Sequence, residues 1–117
     1  MPHLRSTLRL DEKRSALMVI DLQEKLCPVI PEAREIEREI IRLTDAATVL
    51  SIPAAATVQY PRGLGGLVPS LQSVFPAPEE KVVFSAAVCR QALNAWIADG
   101  RDQIVICGIE THICILQ

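Results

Sequence analysis

An unbroken apolar, mostly β-branched run at residues 104–107 sets the strongest constraint on the fold. A strand of this composition is buried on both faces, as in a parallel sheet covered by helices. The run ends at Gly108, where the chain can bend, and Thr111 and Cys114 follow. Because Thr111 is a good N-cap residue, the pattern predicts that Cys114 lies in the first turn of a following helix.

A cysteine at the start of a helix is a candidate nucleophile. The unpaired N–H groups and the positive end of the helix dipole favour thiolate over thiol, so we expect the pKa of Cys114 to lie below the free value of ~8.5. The alternative is that Cys114 is a small buried residue without chemistry. A base and a cation beside the thiol would favour the first interpretation.

Two charged residues adjoin other strand-like runs. The apolar run at residues 16–20 ends at Asp21, and Lys81 stands directly before residues 82–86, which also have a strand pattern. Asp21, Lys81 and Cys114 would then come from three strands and form a candidate triad. In this interpretation Lys81 precedes its strand, whereas Asp21 and Cys114 follow theirs.

Helical patterns separate the strands. Apolar residues recur at steps of three and four between residues 31 and 50, and a second stripe runs through residues 89–97, before Gly100. Residues 67–75 are compatible with a short helix, and residues 54–58 and 103–109 with strands. This alternation predicts an α/β fold, a parallel sheet with candidate residues near its carboxyl edge.

Length and charge bound the domain organisation and the partners. The 117 residues suffice for one domain, which we place at residues 15–117 behind a polar N-terminal arm at residues 1–14. A net charge of -2 gives no reason to expect nucleic acid or an anionic membrane as a partner. The arm is basic in part, but Asp11 and Glu12 dilute its charge, which favours a surface arm over a nucleic-acid-binding one.

Hydropathy and cysteine spacing indicate a cytoplasmic protein. No apolar stretch approaches the ~20 residues of a membrane span. The four cysteines show neither Cys-x-x-Cys spacing nor the density of a secreted disulfide scaffold, so we expect reduced thiols.

Three short motifs resemble those of the isochorismatase-like cysteine hydrolase superfamily: Asp-x-Gln after the first strand, Lys-x-x-Phe/Tyr-Ser, and Gly-x-x-Thr-x-x-Cys. In this chain they are Asp21 and Gln23; Lys81, Phe84 and Ser85; and Gly108, Thr111 and Cys114. The resemblance covers about residues 10–117. It implies a three-layer, Rossmann-like sheet with helices on both faces, in which Lys81 is placed by a shifted strand boundary or an irregular segment.

The resemblance also implies a mechanism. Cys114 would be the nucleophile, Asp21 the general base and Lys81 the residue that orients the pair, acting on a small amide or related substrate through a thioester-type intermediate. A non-proline cis peptide at Ile109–Glu110 would turn the backbone N–H groups of Glu110 and Cys114 into the pocket as an oxyanion hole.

The loop after the second strand is the expected substrate side. Residues 63–66 are rich in glycine but lack a phosphate-binding motif. We expect Gln23, Gln59 and Tyr60 to contact the substrate, and simple packing is an equal alternative for Tyr60.

No metal and no other cofactor is expected. Metal-dependent members of the superfamily carry an Asp-x-His cluster after the second strand, where this chain has Gln59, Tyr60 and Pro61. The two histidines are His3, in the arm, and His112, which we expect to face outward or to line the pocket rim.

Members of the superfamily continue beyond the strand that precedes the nucleophile. The resemblance therefore implies that this chain holds the first four strands of the sheet. We also expect a homo-oligomer. A second hypothesis is a truncated, non-catalytic module that is stabilised by association with another chain.

Overall fold

The computed structural model describes residues 8–117. Its strands are β1 (Ser15–Ile20), β2 (Ala54–Gln59), β3 (Glu79–Lys81) and β4 (Gln103–Gly108), and its α-helices are α1 (Ala33–Val49), α2 (Pro61–Leu64), α3 (Pro69–Gln72) and α4 (Arg90–Ala98). Two 3-10 turns, Cys27–Val29 and Ala86–Val88, and a π-helical turn, Thr111–Ile115, complete the described elements.

The strands form one parallel sheet in the order β3-β2-β1-β4. Ile20, the last residue of β1, is in register with Thr57 on one side and Gly108 on the other. All six residues of β1 are buried, as its central position requires. The predicted α/β fold is confirmed, and the strand register brings the carboxyl ends of β1, β2 and β4 together.

Alternate side chains of β1 enter two separate cores. Leu17 and Val19 pack with residues of α1, whereas Met18 and Ile20 pack with Trp96 of α4 and with Cys114. Because successive side chains of a strand point to opposite faces, helices cover both sides of the sheet and the architecture has three layers. The nucleophile candidate thus belongs to the second core.

The prediction of a third strand at residues 82–86 is wrong. The strand is Glu79–Lys81, and the side chains that follow are open to solvent, with Val82 79% exposed. The backbone leaves the sheet here because the carbonyls of Val83 and Phe84 accept hydrogen bonds from Lys81 Nζ at 3.2 and 2.9 Å. Lys81 therefore ends its strand, which places it at the same sheet edge as Asp21.

The N-terminal arm lies partly outside the described residues, and so does His3. Residues 8–14 contain no strand or helix, but they are tied to the start of β4. The amide of Asp11 donates to Gln103 Oε1 at 2.8 Å, and Arg14 pairs with Asp102 at 2.7 Å.

Gly108 allows β4 to pass close to β1. Its φ is +130°, and a Cβ atom at this position would lie 2.1 Å from the carbonyl oxygen of Ile20. Gly108→Ala is therefore expected to lower the free energy of unfolding by about 3 kcal/mol, because it adds left-handed strain to a backbone clash. Urea unfolding measures this loss.

Gly100→Ala is the matched control for that substitution. Gly100 also has a positive φ, +75°, but a Cβ atom there would meet nothing within 4 Å. The expected loss is about 1 kcal/mol, from backbone strain alone. Equal losses in the two variants would contradict the clash with Ile20.

Candidate active site

Three residues from different elements meet at the carboxyl edge of the sheet. Asp21 directly follows β1, Lys81 ends β3, and Cys114 lies in the turn Thr111–Ile115 after β4. All three are buried. The sequence predicted this set, and the strand order supplies the reason for it, since the ends of parallel strands share one edge.

Asp21 and Lys81 form a fully buried ion pair. Lys81 Nζ lies 2.7 Å from Asp21 Oδ2, and both side chains are 0% exposed. The ammonium also donates to Gln59 Oε1 at 2.8 Å and to the two carbonyls that follow β3. A buried charge is tolerated only when it is paired and hydrogen-bonded, and these contacts meet both conditions.

The second carboxylate oxygen of Asp21 is held by Thr57. Thr57 Oγ1 donates to Asp21 Oδ1 at 2.9 Å, and the Asp21 amide donates to the Thr57 carbonyl at 3.1 Å. Asp21 has a φ of +55°, a left-handed conformation that aspartate tolerates better than most residues. Its carboxylate is fixed from both sides.

The surroundings of Cys114 favour its thiol over its thiolate. Its pKa is raised to about 11, chiefly by burial and then by the hydrogen bond and the negative charge of Asp21, while Lys81 acts in the opposite direction. The expected lowering of this pKa is wrong, because the thiol is buried and faces the carboxylate of Asp21. The Cys114 thiol is within hydrogen-bond reach of both Asp21 and Lys81.

Gln23 links two loops beside the site through hydrogen bonds to Gln59 and Gly65. Its Nε2 donates to the carbonyls of Gln59 and Gly65 at 2.9 and 2.8 Å, and its Oε1 accepts from the Gln59 amide at 2.7 Å. The side chain is fully buried. These bonds join the loop after β1 to the end of β2, and they leave no open face of Gln23 for the expected substrate contact.

Gln59 and Tyr60 lie at the end of β2. Gln59 Oε1 accepts from Lys81, which orients the carboxamide, and Nε2 has no hydrogen-bond acceptor among residues 8–117. Tyr60 is 53% exposed, and its ring lies over Gly63, where a Cβ atom would come 2.6 Å from Tyr60 Cε1. Both residues stay candidates for substrate contact.

The turn after β4 contains the predicted backbone feature, since the Ile109–Glu110 peptide bond is cis. His112 points outward, as expected, with a side chain 74% exposed and 3.6 Å from Glu110 Oε2. Within residues 8–117, no group of three or more His, Cys, Asp and Glu side chains could hold a metal ion.

Sequence reasoning missed Thr57 and the two carbonyls bound by Lys81. Thr57 did carry a signal, because it is a polar residue within the otherwise apolar run at residues 54–58, near the carboxyl end of its strand. The carbonyls had none, since any residue type supplies them.

The isochorismatase domain matches residues 15–117 of this sequence. The chain belongs to the isochorismatase domain family. Isochorismatase domain-containing protein 2 of Danio rerio is 36% identical over 107 residues, which cover 92% of this chain and 54% of that protein. The chain thus spans about half the length of this relative.

Solved structures agree with this assignment. The MAR1 ribonuclease of Caenorhabditis elegans matches with a TM-score of 0.83 and 38% identity, over 94% of this chain and 57% of that one. The YcaC gene product of Escherichia coli, described as an octameric hydrolase of unknown specificity, matches with a TM-score of 0.79 and 26% identity, over 95% of this chain and 57% of that one.

The cysteines and the helices of the chain show two further features. All four cysteines are free. Within the described part of the chain, none of the helices is both long and apolar enough to span a membrane.

Proposed function

We propose that this chain carries the catalytic residues of a cysteine hydrolase that acts on a small amide or a related substrate. The observation that carries the proposal is the buried Asp21–Lys81 ion pair beside the Cys114 thiol. Membership of the isochorismatase domain family supports it.

The first half of the reaction forms a thioester. Cys114 Sγ attacks the carbonyl carbon while its proton moves to Asp21, and the carbonyl electrons move to oxygen. The N–H groups of Glu110 and Cys114 are the proposed donors to this oxyanion. When the tetrahedral species collapses, the carbon–nitrogen bond breaks and the leaving amine takes the proton from Asp21.

The second half uses water. Asp21 removes a proton from water, whose oxygen attacks the thioester carbon, and the proton returns to sulfur as the acid leaves. Lys81 stays bonded to Asp21 Oδ2 and balances the negative charge that moves between Asp21, sulfur and the oxyanion. Gln59 Nε2 and the exposed Tyr60 ring are the proposed substrate contacts.

A test of this mechanism is the pH dependence of alkylation by iodoacetamide, followed by mass mapping. Cys107 is an internal control, because burial raises the pKa of its thiol to about 11, as for Cys114. The labelling rate of Cys107 should rise about tenfold per pH unit between pH 7 and 9, with its thiolate fraction. We expect a much flatter profile for Cys114, because Asp21 takes the thiol proton while sulfur attacks, so the rate does not depend on the thiolate fraction. Parallel tenfold slopes would contradict the role of Asp21.

The name of the C. elegans neighbour favours a second candidate function, the cleavage of RNA. Incubation with labelled RNA and with a panel of small primary amides separates the two. Release of the free acid and an acyl adduct on Cys114 support the amide hydrolase. Cleavage of RNA alone, abolished by Cys114→Ala, would overturn it.

Assembly and location are also proposals. β4 pairs with β1 on one side and with no other described strand on the other, and the E. coli neighbour is described as an octamer. We propose a homo-oligomer in the cytoplasm. Sedimentation together with thiol mapping tests the alternative of a non-catalytic module held by another chain, which predicts no distinct profile for Cys114.

A further inference from the structure

Thr57 is a buried polar residue in the middle of the sheet. Thr57 is 1% exposed. It is in register with Ile20 of β1, so it lies beside Asp21, the residue that follows. It contacts Asp21 twice, through its hydroxyl at 2.9 Å and through its own carbonyl at 3.1 Å. A sheet does not require this hydroxyl, since backbone groups alone form the ladder.

The two oxygens of the Asp21 carboxylate have different donors. Lys81 Nζ binds Oδ2, and the same ammonium already has four oxygen acceptors within 3.2 Å, more than its three N–H groups can serve. Lys81 therefore cannot also hold Oδ1. Among residues 8–117, Thr57 supplies the one hydroxyl that donates to that oxygen.

We propose that Thr57 is a positioning residue for the Asp21 base. Its hydroxyl fixes the plane of the carboxylate, so that Asp21 stays aimed at the Cys114 thiol. The same hydrogen bond gives Oδ1 a donor while Lys81 holds Oδ2. This role rests on the proposed function of Asp21.

The test follows the acid side of the pH profile for alkylation of Cys114 by iodoacetamide. Protonation of the group that takes the Cys114 proton would produce this limb, the pH range in which labelling slows as the pH falls. Thr57→Val removes the hydroxyl that donates to the Asp21 carboxylate. We expect the limb to move to higher pH by about one unit, because the charged carboxylate loses a hydrogen bond. Thr57→Ser keeps the hydroxyl and should leave the limb in place.

Thr44→Val is the matched control. Thr44 is also buried, but its Oγ1 donates to the Ile40 carbonyl within α1, at 2.8 Å and away from the site. It should lose stability in urea without a shift of the limb. If Thr57→Val does not fold, Thr57→Ala removes the same hydroxyl without adding a methyl group, and the same shift is expected.

Two outcomes would overturn the role of Thr57, and they are distinguishable. A wild-type limb that neither Thr57→Val nor Thr57→Ala moves would make Thr57 a purely structural residue. A wild-type profile without any acid limb would overturn the proposed function and this role together.

Discussion

Lys81→Met is expected to lower the free energy of unfolding by about 3–5 kcal/mol, because it leaves the Asp21 carboxylate buried without its partner. The Asp21–Lys81 pair is 2.7 Å apart and fully inaccessible to water, so solvent cannot take over the lost contact. The variant also frees Gln59 Oε1 and the two carbonyls that Lys81 binds. Chemical denaturation measures the loss.

Two variants complete that experiment. Lys13→Met removes an exposed lysine and should change stability by less than about 0.5 kcal/mol. Adding Asp21→Asn to Lys81→Met should restore part of the lost stability, because asparagine carries no charge that must be paired. A double variant with the sum of both single losses would contradict the pairing argument.

Lys81→Met should also destabilise the loop after β3. Val82, Val83 and Phe84 form an apolar run whose side chains are largely exposed, and two of their carbonyls bind Lys81. Lys81 therefore fixes the path of this loop as well as the charge of Asp21. The same contacts explain why residues 82–86 look like a strand in sequence and are not one.

Strand propensity is a local property, and β3 shows its limit. Residues 104–107 and 16–20 were predicted as strands, and both lie in the sheet. Residues 16–20 are buried between two neighbouring strands. The predicted burial of residues 104–107 on both faces is wrong, because β4 pairs with β1 alone among the described strands and Ile106 is 50% exposed. Residues 82–84 have an equally suitable composition. Their conformation is decided by Lys81, whose ammonium donates to the carbonyls of Val83 and Phe84 and also to Asp21, 60 positions earlier in the sequence.

In the candidate active site, too, residue identity was predictable from the sequence and the surroundings of each residue were not. Residue types and motif order were enough to select Asp21, Lys81 and Cys114, which the structure brings together. The sign of the pKa shift at Cys114 could not be predicted, because it depends on how deeply the thiol is buried and on its contact with Asp21. The support given by Gln23 and Thr57 depends on register, which a single sequence does not fix.

Asp21→Asn is expected to separate thiol reactivity from turnover. The substitution removes the hydrogen bond and the charge that raise the pKa of Cys114, while Lys81 still lowers it, so this pKa should fall below about 11. Burial still raises this pKa, so labelling of Cys114 should rise about tenfold per pH unit with its thiolate fraction and should be measurable at pH 9. Hydrolysis of a responsive amide should fall about 10³-fold, because no group protonates the leaving amine or activates water.

Asparagine suits this comparison because it keeps the shape of the side chain and tolerates the positive φ of residue 21. Asp45→Asn, on the exposed side of α1, is the matched control and should leave both rates unchanged. Measuring acid release and mass-mapped alkylation on the same samples distinguishes the possible causes. If Cys114 could not be labelled at any pH between 7 and 9, the variant would have lost its fold or access to the thiol. If hydrolysis persisted at the wild-type rate, Asp21 would not be the base, and the assignment of Cys114 as its proton donor would fail.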